Sequence, residues 1–272
     1  MNILMNKKIL VCYLITKFDD ENTLLTFLKN YKDFESGHPH ELLICFKLLN
    51  KEKLKIFRKL LTNLNHIEYI DDCIDNDFDL GSYSRVALSY SSRHIFFLNS
   101  YSYPICDNWL NIIIKNYEEN SILATSASYE SLLSSVKLKK FYKILTYLIK
   151  FFQYHKLFYP FPNPHIRTTG FLMKGSEYLN FMNNKSIKSK TDAWKIESGK
   201  DSLTNYFKKL NYNIYVINSE GKKFSESKWK DSQTYNFSDQ NKSIISDKHI
   251  RKYHSLDKLE KLRFQDNTWG RD

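Results

Sequence analysis

Residues 94–110 read His94-Ile95-Phe96-Phe97-Leu98-Asn99-Ser100-Tyr101-Ser102-Tyr103-Pro104-Ile105-Cys106-Asp107-Asn108-Trp109-Leu110. The apolar run His94–Leu98 has the length and aromatic content of a buried strand. It stops abruptly in small polar groups and a turn, and the segment Asp107–Tyr117 then places Trp109, Leu110, Ile113 and Ile114 on one face of a helix. A strand that ends in polar residues and feeds a helix is one unit of an α/β layer.

The same unit recurs outward from this stretch. Toward the N-terminus, strands are expected at Lys8–Ile15, Glu41–Phe46 and His66–Ile70, with helices at Asn22–Tyr31, Lys51–Leu61 and Gly81–Ser91. Toward the C-terminus, strands are expected at Ser121–Ser126, Ile166–Met173 and Asn213–Ile217, and a helix over Gly199–Leu210. Strands alternating with helices in this way predict a mostly parallel sheet flanked by helices. Beyond Ser219-Glu220-Gly221 the chain turns polar and short-stranded, and this tail is expected to wrap the core. In such sheets ligands bind at the carboxyl ends of the strands, so the loops after Ile15, Ile70 and Leu98 are the ones to inspect.

Composition narrows the class. The chain has 272 residues, 42% hydrophobic and 26% charged, which excludes wholesale disorder and a fibrous protein. Cys12, Cys45, Cys73 and Cys106 have no metal-ligand spacing and are expected as buried, reduced thiols, as in a cytoplasmic protein. The apolar run after the basic N-terminus reads as a first strand and not as a leader, and no apolar stretch has the length of a membrane span. The run Thr16-Lys17-Phe18-Asp19-Asp20 after the first strand has no glycine-rich phosphate loop, which counts against a dinucleotide-binding oxidoreductase and a P-loop enzyme.

The formal charge is +11. Codon bias toward Lys, Asn and Ile accounts for part of it. Nucleic acid is not an expected partner, because no helix-turn-helix, zinc-finger or ribonucleoprotein signature accompanies the charge. The basicity is partly local: Lys137–Tyr159 carries Lys137, Lys139, Lys140, Lys143, Lys150 and Lys156 with no acid, and Leu145, Leu148, Phe151 and Phe152 lie along one helical face. Such a helix suits the surface of an anionic membrane; the alternative is an amphipathic helix packed on the sheet.

Three clusters carry candidate chemistry. In Asn76-Asp77-Phe78-Asp79-Leu80-Gly81-Ser82-Tyr83, Asp79 stands at a loop-to-helix junction, where it can cap the helix or accept from a base or sugar hydroxyl, and Gly81 permits close backbone approach. The second is the strand end Asn99-Ser100-Tyr101. The third is Asp192-Ala193-Trp194-Lys195-Ile196-Glu197-Ser198-Gly199-Lys200-Asp201-Ser202, whose Glu197 and Asp201 stand before the helix Leu203–Leu210, a position that also suits simple helix N-terminal charge.

The order of these elements resembles a GT-A-type glycosyltransferase, and within that type the bacterial surface-polysaccharide (capsule or O-antigen) transferases related to the inverting family-two enzymes. HIFFL with the WL-bearing helix looks like the unit that ends in an Asp-any-Asp motif, and NDFDLGSY like the preceding element against the donor. The resemblance implies a GT-A-like (Rossmann-like) catalytic domain over residues 1–220 and a C-terminal extension over 221–272 wrapping the same domain. It implies transfer of a sugar from a nucleotide-sugar donor to a surface-polysaccharide or lipid-linked glycan acceptor, with inversion, at the inner face of the membrane.

By this resemblance Glu197 is the general base and Asp201 the runner-up, with Trp194 raising the pKa of Glu197 by desolvation. The donor would be held by Thr16, Lys17, Asp79, Gly81, Asn99, Ser100 and Arg167, and the acceptor by Trp194 and His165. One departure stands out. Asn99-Ser100-Tyr101 replaces the acids that hold Mg²⁺ or Mn²⁺ in the family, so no metal ligand is assigned and three outcomes stay open: metal-independent catalysis, a Mg²⁺ or Mn²⁺ held from elsewhere, or lost activity. The first is favoured, with Arg167, Lys17 and His165 as the candidate cations for the leaving diphosphate. His249 and His254 in the tail are read as surface residues. The missing acids also leave open a non-catalytic nucleotide-sugar or glycan binding protein.

Overall fold

A computed structural model describes residues 2–73, 76–137, 142 and 144–271. Its centre is a sheet in which most neighbouring strands run parallel. β1 (Ile9–Thr16) pairs in parallel with β2 (His40–Lys47) and with β4 (His94–Leu98), and β2 pairs in parallel with β3 (Ile67–Asp71). On the other side, β6 (Ser121–Ala124) pairs in parallel with β10 (Asn213–Ile217). The antiparallel β9 (Gly170–Lys174) joins the two halves by pairing with both β4 and β6. β11 (Lys223–Phe224) closes the edge, giving the order β11-β10-β6-β9-β4-β1-β2-β3.

Strand alternation builds a core on each face of this sheet. Leu10, Cys12 and Leu14 of β1 point to one face, where they join Tyr83 and Val86 of α3 (Phe78–Ser89), Tyr178 and Phe181 of α6 (Gly175–Met182), Ile196 of α7 (Lys190–Ser198) and Phe207 of α8 (Leu203–Lys209). Ile9, Val11, Tyr13 and Ile15 point to the other, against Leu24 and Phe27 of α1 (Glu21–Asp33), Phe57 of α2 (Lys51–Leu60) and Trp109, Ile113 and Ile114 of α4 (Trp109–Lys115). The apolar face assigned from spacing to Trp109, Leu110, Ile113 and Ile114 is buried. The four cysteines are free, and Cys12 and Cys45 are fully inside.

The fold class is α/β with a mostly parallel sheet flanked by helices, as the alternating pattern predicts, but several elements differ. The expected strand Ile166–Met173 is two: β8 (His165–Ile166), paired with β7 (Ala127–Ser128), and β9, separated by Arg167-Thr168-Thr169. These three residues line a cavity at the end of the central strands. The expected helix from Gly199 begins only at Leu203. The preceding segment forms the separate helix α7, with Ser189 as its cap accepting from the Asp192 backbone N–H.

The tail is more helical than its polar composition implied. β12 (Ile245–Ser246) pairs with β5 (Tyr103–Pro104). α9 (Lys248–His254) and α10 (Lys258–Trp269) follow, capped by Asp247 and Asp257 respectively. Within the basic segment α5 spans Ile144–Leu157; Lys139, Lys140 and Lys143 lie outside the described residues.

Candidate active site

A cavity of about 460 Å³ opens where β4 ends and β9 begins. Because Leu98 pairs with Gly170, the C-terminal end of one strand and the N-terminal end of its antiparallel neighbour deliver Asn99 and Arg167-Thr168-Thr169 to the same rim. α3 contributes Asp79, α7 contributes Trp194 and Glu197, and the tail contributes Tyr235, Asp247, Lys248 and His249. Six of the residues singled out in the sequence therefore meet here: Asp79, Asn99, His165, Arg167, Trp194 and Glu197.

Glu197 sits near the C-terminal end of α7, not in the first turn of the next helix, so the charge–dipole explanation for an acid at this position does not apply. The Thr168 hydroxyl donates to its Oε1. Burial pushes its carboxyl above the ordinary carboxylate range, and the Thr168 bond and the Arg167 charge only partly offset this. Trp194 lines the same wall and packs onto the cluster of Leu133, Tyr154 and Phe158 beneath α5.

Asp79 lies in the first turn of α3 with its pKa pushed up to about 6, by burial first and then by the negative charge of Glu197. Its carboxylate accepts a hydrogen bond from the Asn99 side chain. Asp79 is placed by an ionic network that sequence reasoning missed. Lys47, at the end of β2 and 1% exposed, pairs with Asp77 at 2.5 Å and donates to the Phe78 carbonyl; Arg85 bridges Asp77 at 2.6 Å and Asp71. The signal was there: a lysine ending an apolar strand and an arginine amid the apolar positions of a helix are charges that need partners.

Gly81 serves this network and does not line the main cavity. A Cβ at this position would fall 1.8 Å from Asp77 Oδ2, so the missing side chain is what lets the Asp77 carboxylate fold over α3 toward Lys47 and Arg85.

Arg167 is buried and its guanidinium is held by Asp247 at 2.5 Å, with the Tyr235 ring 3.9 Å from its centre. Burial opposes ionisation of Asp247, but the Arg167 charge outweighs it and the carboxyl is held at about 2. Arg167 lines the cavity as expected, but Asp247 balances its charge, so it offers a donor diphosphate less net positive charge than the sequence suggested. His165 is corrected as a cation. Its Nδ1–H donates to the Asn163 carbonyl at 2.8 Å, and burial lowers its pKa to about 4, so the ring is neutral near pH 7.

The remaining expected donor residues are elsewhere. Thr16 donates its hydroxyl and its backbone N–H to Asp19, both at 2.7 Å, which closes the turn after β1. Lys17 is exposed beside the Phe18 ring. Ser100 is buried, its carbonyl accepting from the Tyr13 hydroxyl, and it lines a neighbouring cleft of about 420 Å³ that meets the main cavity at Tyr101. Asp201 is corrected as a base candidate: its side chain is 81% exposed and paired with Lys209, outside the cavity.

The strand end offers a metal ion little. Asn99 Oδ1 accepts from the Tyr101 backbone N–H at 3.1 Å and from the Ser102 hydroxyl at 2.8 Å, which commits its one acceptor oxygen to the turn. No group of three or more His, Cys, Asp or Glu side chains suited to a metal ion is gathered among the described residues. The donor set does not fit Mg²⁺ or Mn²⁺, which favour charged oxygens.

No protein-family model matches the chain, and no curated protein matches it. Among solved structures the chain is similar to the mannosyltransferase PcManGT from Pyrobaculum calidifontis, in complex with GDP-Man and Mn²⁺, at 7% identity over 77% of this chain and 55% of that one, with a TM-score of 0.47. It is similar to the glycosyltransferase GlyE of Streptococcus pneumoniae at 11% identity over 76% of this chain and 45% of that one, with a TM-score of 0.41. It is also similar to 4-diphosphocytidyl-2C-methyl-D-erythritol synthase from Anaerococcus prevotii, at 11% identity over 80% and 89%, with a TM-score of 0.45. The chain spans about half the length of the two glycosyltransferases. At these identities the likeness is one of fold, and no residue role follows from it.

Proposed function

We propose that the chain is a glycosyltransferase that moves a sugar from a nucleotide-sugar donor to a surface-polysaccharide or lipid-linked glycan acceptor with inversion, Glu197 acting as general base. The observation that carries the reading is the Glu197 carboxylate: it lines the cavity at the carboxyl ends of the strands, is held by a neutral hydroxyl, and has a pKa raised toward the range where a base works. Arg167, the nearest guanidinium, is bound to Asp247, so Glu197 is not consumed by an ion pair.

In this reading the acceptor hydroxyl approaches along the Trp194 wall and hydrogen-bonds to Glu197. As its oxygen bonds to the anomeric carbon, its proton passes to the Glu197 carboxylate. The anomeric carbon–oxygen bond to the nucleoside diphosphate breaks on the opposite face. Thr168 keeps Glu197 oriented, which supplies the positioning on which such a step depends.

The acceptor's anchor is supported by α5. Its inner residues Phe151 and Tyr154 join the apolar cluster that Trp194 completes. Its outer face exposes Leu145 (68%), Ile149 (53%) and Phe152 (61%). The chain carries no acidic residue between Glu130 and Glu177, so the charged residues that α5 itself contributes, Lys150 and Lys156, are positive. That combination suits partial insertion into an anionic lipid surface beside the cavity mouth. No helix among the described residues is long and apolar enough to cross a membrane.

The test is a screen of UDP-, GDP- and dTDP-sugars by thermal shift, followed by transfer assays with Glu197→Gln. A donor should stabilise the protein by mass action, and the variant should bind it unchanged while transfer falls about 10²- to 10⁴-fold. Full transfer in the variant removes the base assignment. Donor binding without any turnover would instead support a binding protein, a reading motivated by the neutral strand end Asn99-Ser100-Tyr101.

A further inference from the structure

A leaving nucleoside diphosphate develops negative charge that some cation must meet. The strand end lacks the carboxylates to hold a metal for this purpose, Asp247 balances the Arg167 charge, and His165 is a neutral ring. Lys17 does not line the cavity. His249 does, but desolvation and then the Arg167 charge lower its pKa below the ordinary histidine value, so it too is neutral near pH 7.

One lining residue has the required property. Lys248 is exposed, and its ammonium lies 5.4 Å from the centre of the Tyr101 ring, the residue shared by the main cavity and the neighbouring cleft. Among the described residues lining the cavity, Lys248 is the cation with no carboxylate paired to it. Its position is not incidental. Asp247, the residue before it, is bound to Arg167 and also accepts from the His249 and Ile250 backbone N–H groups, while β12 pairs with β5 immediately after the strand-end turn. Two anchors, the Asp247–Arg167 pair and the β12–β5 pairing, thus fix the tail backbone immediately before Lys248, which lines the cavity together with Asn99 and Tyr101.

We propose that Lys248 is the diphosphate-binding cation of this site, supplied by the tail in place of a divalent metal. The inference rests on the transferase reading above and deepens it. Lysine binds phosphate as a compact charge on a flexible stem, so it follows the diphosphate as charge grows there without the fixed coordination that a metal requires.

The test measures UDP, GDP, dTDP and CDP binding by calorimetry in EDTA and again with Mn²⁺. The expected result is that one nucleotide binds in EDTA, that Mn²⁺ changes its affinity by less than about twofold, and that Lys248→Ala weakens it roughly 10- to 100-fold. Lys248→Arg should recover most of the loss, and thermal melts of both variants should match the parent because the side chain is exposed and unpaired. Equal affinity in Lys248→Ala, or binding only with Mn²⁺, overturns the proposal and leaves the transferase reading standing. No binding of any nucleotide under either condition overturns both.

Discussion

Arg167 and Asp247, 80 positions apart in the chain, meet in a 2.5 Å ion pair inside the cavity, each less than a tenth exposed. Arg167 stands in the connection between β8 and the central strand β9, and Asp247 caps α9, so this pair ties that connection to the tail. A buried pair is most costly when one member is removed, because the other charge is left in a poorly solvating place. Asp247→Asn should therefore destabilise the fold by about 3–5 kcal/mol. Urea unfolding measures this, and a loss below about 1 kcal/mol would mean that water reaches Arg167.

Asp79 makes a pH-dependent prediction. Its folded pKa of about 6 exceeds the ordinary 3.8, so the folded state binds its proton more tightly than the unfolded chain does. The stability this contributes is fully present below the unfolded value and is lost as pH rises through about 6. Asp79→Asn should accordingly raise the melting temperature at pH 8 and bring little or no gain at pH 4. A gain of the same size at both pH values would show that charge is not the cause. Such a variant is also expected to lose activity, since a carboxylate kept ionised against its environment marks a working site.

The Asp79–Glu197 coupling can be read separately. Removing the negative charge in Glu197→Gln should lower the Asp79 pKa from about 6, with burial keeping it above the ordinary value. Carboxyl-carbon NMR titration follows this directly, and an unshifted Asp79 would show that the two groups do not share a field.

Gly199 ends α7, two residues after Glu197. A Cβ there would lie 2.5 Å from the Lys195 carbonyl oxygen, which is backbone and cannot swing away. Gly199→Ala should cost about 1–3 kcal/mol of stability by overpacking. It should also displace the end of α7, lowering kcat with donor affinity kept. Unchanged kcat would mean that Thr168 alone sets the position of Glu197.

The outer face of α5 predicts lipid dependence. The double variant Leu145→Glu, Phe152→Glu should reduce sedimentation with phosphatidylglycerol vesicles more than tenfold, as two large apolar side chains are worth about 1.5–3 kcal/mol each on burial. Binding of the parent should weaken with salt and on replacing phosphatidylglycerol by phosphatidylcholine. Equal binding to neutral vesicles would remove the electrostatic part of the reading.

The sequence alone determined the layer architecture. Strands such as Ile9–Thr16 and His94–Leu98 are continuous apolar runs, and helices such as Trp109–Lys115 repeat their apolar residues at helical spacing; both signals are local, so a single sequence carries them. It also drew attention to Asp79, Asn99, Trp194 and Glu197, and the fold gathers these around one cavity.

Only the tertiary structure decided which charges are free. Arg167 looked available because its partner, Asp247, lies in a tail whose polar composition gives no sign of where it folds back. Lys47 and Arg85 drew no attention in the sequence, and only the packing of β2 against α3 brings both to Asp77. Gly81 looked like a backbone approach to a ligand, and its neighbour is instead a carboxylate of its own helix. The physical reason is common to all three: burial and pairing are long-range properties set by what packs against a side chain, whereas spacing and composition report only what stands beside it in the chain. The excess of positive charge visible in the composition therefore did not locate the cation of the site. That fell to Lys248, which is distinguished by lacking the partner that its neighbour Asp247 gives to Arg167.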